Sequence, residues 1–243
     1  MSLRSYAIVT SAYWAFTVTD GALRMLVLLY FHDLGYSPVS LALLFVLYEL
    51  FGVFTNLIGG WVGANYGLHR TLIVGLALQV VALLALTLHD PSWREWVAVG
   101  WVMAVQALSG IAKDLTKMSS KAAVKFVASE GKLFGLVAIL TGSKNTLKGV
   151  GFFVGAALLS WRGFDGALVA MAVVLAAVLL VVIGLLGDVG RAKQKTEFGA
   201  VLKKSPAIQR LSAARFFLFG SRDIWFVVAL PVFLDEALAW SYE

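Results

Sequence analysis

Eight ionisable side chains sit inside long apolar stretches of this sequence: Asp20, Arg24, Glu49, Lys144, Lys148, Arg215, Arg222 and Asp223. Charge at the centre of a bilayer costs on the order of 3 kcal/mol on insertion scales, so such a group normally faces a partner or a water-filled cavity. Five of the eight are cations and three are carboxylates, so a surplus of positive charge is left for an anion from outside the protein. Asp20 and Arg24 are four residues apart, a spacing that predicts pairing on one helix face. Lys144 and Lys148 share a face in the same way, with Asn145 beside them. Two ammonium groups so placed destabilise each other unless an anion joins them or one loses its proton. Arg215 and Arg222, seven apart, again share a face. The planar fork of arginine suits phosphate-like oxyanions, and lysine adds compact point charge.

This pattern predicts a positively lined cavity for a small anion. Arg24, Lys144, Asn145, Lys148 and Arg222 are the candidate anion-binding residues. Asp20, Glu49, Asp114 and Asp223 are candidates for proton coupling or structural pairing. Lys113, Lys117 and Arg215 are placed at the approach from the cytoplasm. Plainer readings stand beside these. Lys113, Lys117, Lys121 and Lys125 form an i,i+4 ladder of the kind that anchors a helix end among lipid headgroups. Asp20–Arg24 can be a purely structural pair, Arg215 can snorkel to the membrane surface, and Glu49 can be a helix-packing hydrogen-bond group.

Other chemistries find no support. The chain has no cysteine, which removes disulfides, thiol catalysis and Cys-ligated metal. His32, His69 and His89 lie near span ends without a carboxylate cluster, so no metal site is expected. Ser109 and Ser143 lack a histidine at matching depth, and no phosphate-binding or dinucleotide loop is present. The expectation is therefore no cofactor and no enzyme. A membrane-embedded enzyme acting on a phosphorylated substrate is the competing class, and an anion channel a third. The net charge of +6 does not point to nucleic acid, because the cations are confined to short segments between apolar runs.

The elements that must position these groups follow from hydropathy. The 243 residues are 60% hydrophobic and only 14% charged, and mean hydropathy is +0.85. A soluble domain is nearer half apolar and a quarter charged. About 20 apolar residues span a bilayer, and seven such stretches are read at residues 5–31, 38–64, 71–88, 96–118, 133–160, 164–186 and 211–234. Lys and Arg outside these stretches fall almost wholly on one side, including Arg4, Arg70, Lys132, Arg191 and Lys203. Only Arg94 and Arg162 fall on the other. The positive-inside rule then puts the N-terminus in the cytoplasm. The N-terminal stretch carries Asp20 and Arg24 and runs too far for a cleavable signal. Residues 187–210 form a long basic segment, read as a cytoplasmic linker between a six-span bundle at 1–186 and the first span of an incomplete second bundle at 211–243. The odd seventh span suggests a fragment of a twelve-span protein.

Asp33-Leu34-Gly35-Tyr36-Ser37-Pro38, followed by a long apolar helix, resembles the first loop of major facilitator superfamily transporters. In the segment from Gly60 to Arg70, Gly60, Gly67 and Arg70 match that superfamily's loop signature between spans two and three. Ala64 and Asn65 replace its acid and base. Longer strings resemble the ArsJ-type organoarsenical exporters of that superfamily: Thr19-Asp20-Gly21-Ala22-Leu23-Arg24, Tyr48-Glu49-Leu50-Phe51-Gly52, Ser109-Gly110-Ile111-Ala112-Lys113-Asp114-Leu115-Thr116-Lys117, Gly142-Ser143-Lys144-Asn145-Thr146-Leu147-Lys148-Gly149 and Arg215-Phe216-Phe217-Leu218-Phe219-Gly220-Ser221-Arg222-Asp223. The resemblance implies an all-α, twelve-span fold and residence in the inner membrane. It implies efflux of 1-arseno-3-phosphoglycerate, giving arsenate resistance. The functional partner it implies is a glyceraldehyde-3-phosphate dehydrogenase that makes the ester from arsenate. An exporter or antiporter of another organic or sugar-phosphate anion is the alternative within this class.

Overall fold

The computed structural model describes residues 3–127, 133–187 and 205–223. The chain divides into two compact units, Met1–Thr196 and Glu197–Glu243. The described residues of the first unit form α1 (Leu3–Asp33), α2 (Pro38–Leu43), α3 (Val46–Tyr66), α4 (Leu68–Leu86), α5 (Glu95–Val127) and α6 (Leu133–Leu185). Those of the second form α7 (Pro206–Asp223). Helices are the outcome the solvent dictates, since in lipid every backbone group must be satisfied within its own segment. Several hydroxyls are satisfied the same way: Thr17, Thr19 and Thr55 each donate to a carbonyl three or four residues back.

Among the described residues, five helical stretches are long and apolar enough to cross a membrane. One of them, α6, has 53 residues, about 80 Å of helix against a hydrocarbon core of about 30 Å. It breaks at Gly163, whose φ of +68° and ψ of −176° suit glycine alone. Contacts with α1 give the direction on either side of the break. Tyr6 donates to the Leu136 carbonyl, Trp14 to Ser143, and Tyr30 stacks on Phe164. Beyond the break, Val178 and Val182 share a groove with Ile8 and Ala12. Residues 133–162 therefore run parallel to α1, and residues 164–185 return. The first unit thus holds six crossings among its described residues.

The boundaries differ from expectation at four places. The second span, expected as one helix over 38–64, is broken after α2. The Phe45 N–H bonds to Ala42 O, three residues back, and this tighter turn shifts the register before α3. The fourth span, expected to end at 118, continues as α5 to Val127. No glycine or proline stops it, and the Lys-Ala-Ala run from Lys121 favours helix. The seventh helix starts at Pro206 rather than 211, with proline in the first turn and the Ile208 N–H 3.4 Å from Ser205 Oγ. The third span, expected over 71–88, starts at Leu68 as α4, directly after Gly67, whose φ is +90°. Residues 188–204, most of the expected linker, and 224–243, the end of the seventh span, lie outside the described residues.

The core of the first unit lies between α1, α4, α5 and the second half of α6. Leu23, Leu26, Leu72, Leu76, Leu83, Leu168 and Leu175 are buried there. Val81, Leu84, Val173 and Leu180 are exposed and apolar, as a lipid-facing surface requires. Where α1 ends, three turns meet in an aromatic cluster. Tyr30 and Phe164 stack at 3.9 Å, and His89 packs edge-on against Phe31 at 4.9 Å, with Trp93 at 5.8 Å. His89 lies in the turn after α4 and is only 7% exposed. Burial pushes its imidazole below the ordinary histidine range, and the nearby Asp165 and Asp90 carboxylates only partly offset this.

Candidate anion site

The site begins with how closely α1 and α6 approach. A Cβ on Gly151 would lie 2.4 Å from the Val18 carbonyl oxygen, and one on Gly21 would lie 2.6 Å from that of Lys148. Glycine at these points lets the two backbones touch, as small residues do between membrane helices. That contact sets the Lys144–Lys148 face of α6 beside the Asp20–Arg24 face of α1. Helix α3 supplies Tyr48 and Glu49, and α5 supplies Lys113, Asp114 and Lys117.

The charged residues among these line one cavity of about 280 Å³ within the first unit, with Tyr48 buried behind its wall. Its walls carry Asp20, Arg24, Glu49, Lys113, Asp114, Lys117, Lys144 and Lys148, with Tyr13, Phe16, Thr17, Gly52, Val53 and Asn56 between them. Eight charged candidates from four helices thus converge. Asn145 is exposed on α6 and does not line this cavity. Arg215, Arg222 and Asp223 belong to α7, but their side chains lie outside the described residues.

The pairing differs from the sequence expectation. Arg24 does not pair with Asp20, four residues away on its own helix. Its guanidinium bonds to the Glu49 carboxylate of α3. Asp20 is 5% exposed and accepts a hydrogen bond from the Tyr48 hydroxyl at 2.5 Å. The Tyr48 ring is fully buried between two cations, with the Arg24 guanidinium 4.1 Å and the Lys113 ammonium 3.9 Å from its centroid. Each such contact contributes on the order of 1 kcal/mol or more where water is excluded. Lys113 and Lys117, expected at the approach from the cytoplasm, form part of the cavity wall. Lys113 reaches Glu49 at 3.3 Å, and Lys117 reaches Asp114 at 2.9 Å and Asn56 at 3.4 Å. Asp114 is 1% exposed. It fits because α3 has Gly52 opposite, where a Cβ would lie 2.8 Å from Asp114 Oδ2.

Three carboxylates and five cations face one another. Arg24, Lys113 and Lys117 have carboxylate partners. Lys144 and Lys148 are half-buried and have no carboxylate partner among the described residues. Arg24 Nε is buried with no hydrogen-bond partner among the described residues. Sequence reasoning missed Tyr48, Gly52 and Asn56. The only signal for the first two was their place in the string around Glu49.

The fold and site define a polytopic helical membrane protein with a charged cavity between its spans. The defining pattern of the Major Facilitator Superfamily matches residues 9–242, and the chain belongs to that superfamily. Its members are secondary transporters of small solutes. No curated protein matches the chain.

Proposed function

We propose that this chain moves a small phosphorylated organic anion outward across the inner membrane, with its N-terminus in the cytoplasm. The observation that carries this reading is the pair Lys144 and Lys148, two half-buried ammonium groups beside the cavity without a carboxylate partner among the described residues. Like charges one helical turn apart are unfavourable without a counter-ion, and a dianion neutralises the pair. The resemblance to organoarsenical exporters names the substrate as 1-arseno-3-phosphoglycerate, a polyanion of matching chemistry. A glyceraldehyde-3-phosphate dehydrogenase acting on arsenate would supply it, and the outcome would be arsenate resistance.

The test uses arsenate-sensitive cells expressing the protein with such a dehydrogenase. Lys144→Gln and Lys148→Gln are expected to abolish resistance at unchanged membrane abundance. Full resistance in both variants would overturn the cavity assignment. A plain sugar phosphate is the second reading, favoured by the same lysine pair. Competition between glycerol 3-phosphate and the organoarsenical in inverted vesicles separates the two.

A further inference from the structure

We infer that Glu49 is a built-in competitor for the anion site: its carboxylate engages Arg24 and Lys113 and must give way when an anionic ligand enters. The inference rests on the reading of this cavity as an anion site.

The three cavity carboxylates are not equivalent. Asp20 and Asp114 are 5% and 1% exposed, and each is held by a neighbour, Tyr48 and Lys117 respectively. Removing a buried carboxylate from its partners is expensive. Glu49 differs in exposure. Its side chain is 61% exposed, and it meets Arg24 and Lys113, the second of which also lies 4.0 Å from Asp114. Exposed ion pairs are worth about 0–1 kcal/mol, so this pairing is the one a ligand oxyanion can replace at small cost. The two cations stay fixed through the exchange, because both also lie against the buried Tyr48 ring. Arg24 Nε is left over as a buried donor without a partner among the described residues. A guanidinium that lends one nitrogen to Glu49 and keeps another unfilled is ready for a bidentate oxyanion. Replacement of Glu49 by a ligand phosphoryl or carboxylate group fills that vacant donor as well.

Competition predicts an unusual sign. Substitution of a cavity residue normally weakens binding, whereas loss of a competitor strengthens it. The experiment measures binding of glycerol 3-phosphate and 3-phosphoglycerate to the chain in lipid nanodiscs, with folding followed by thermal unfolding and gel filtration. Glu49→Gln is expected to bind both probes about threefold more tightly, equivalent to about 0.7 kcal/mol. The gain should vanish in the double variant Glu49→Gln, Arg24→Gln, a dependence that a merely structural role for Glu49 would not produce. Glu49→Ala serves as the second variant if the glutamine form is poorly folded, with the same expected direction. Unchanged or weaker binding in the folded Glu49 variants, with Lys148→Gln still weakening the wild-type site, would overturn the competitor role and leave the anion site standing. Absence of binding in wild type and Glu49 variants alike would overturn both.

Discussion

The Tyr48 hydroxyl on α3 donates to the buried Asp20 carboxylate on α1 across 2.5 Å. This bond joins two helices in the wall of the cavity and leaves Arg24 available to Glu49. Tyr48→Phe would keep the ring between Arg24 and Lys113 and remove only the donor. A buried acceptor stripped of its partner costs about 1–3 kcal/mol, and more when charged. The expected result is a lower thermal midpoint for the phenylalanine variant in detergent. Asp20→Asn in the same background should recover part of the loss. A midpoint equal to wild type would show that the bond contributes nothing to stability.

The approach of α1 to α6 gives a second expectation. Gly151→Val would drive a side chain into the Val18 carbonyl, where even a Cβ has only 2.4 Å. Overpacking of this kind costs about 1–3 kcal/mol, occasionally more. It should also displace Lys148 from the cavity, so anion binding should fall together with stability. Gly142, on the same helix, has nothing within 4 Å of its would-be Cβ. Gly142→Ala should leave both properties within experimental error, and equal damage from the two substitutions would contradict the close contact.

A third expectation concerns pH. Burial lowers the His89 pKa in the folded protein, and the unfolded value is near 6.5. The folded state then binds fewer protons than the unfolded chain, so this contribution is fully present above pH 6.5 and is lost as pH falls. Thermal stability should therefore decline on acidification below about pH 6.5. His89→Phe, which keeps an aromatic ring in the cluster, should flatten that part of the profile. An identical slope in the variant would assign the effect to other groups, with Asp90 and Asp165 the nearest carboxylates.

Much of the fold was legible because lipid leaves a simple code. Apolar runs of bilayer length marked the six crossings among the described residues of the first unit, and the turn at Gly163 fell where the fifth and sixth spans were separated. The candidate charges were legible for the same reason, since Asp20, Arg24, Glu49, Lys144 and Lys148 interrupt those runs. Their partners were not legible. Spacing reports only neighbours on one helix, so it predicted Asp20 with Arg24. The observed partner of Arg24 is Glu49, 25 residues away on α3. Lys113 and Lys117 were placed at the cytoplasmic approach because they open a lysine ladder. What makes room for Lys113 and Asp114 is the absence of a side chain at Gly52, and Lys117 follows through Asp114 and Asn56, contacts between helices that no single-helix pattern encodes.

The glycine contact between α1 and residues 133–162 has a consequence for selectivity. Arg24 and Lys148 are anchored to two backbones pressed against each other, so the interval between their Cα atoms is fixed by main chain rather than by adjustable side-chain packing. The pair acts as a ruler with a rigid stock. If the cavity takes the proposed anion, a ligand would be gauged by whether its charged ends fit that interval, and enlarging one of the glycines would recalibrate the gauge without altering a single charge.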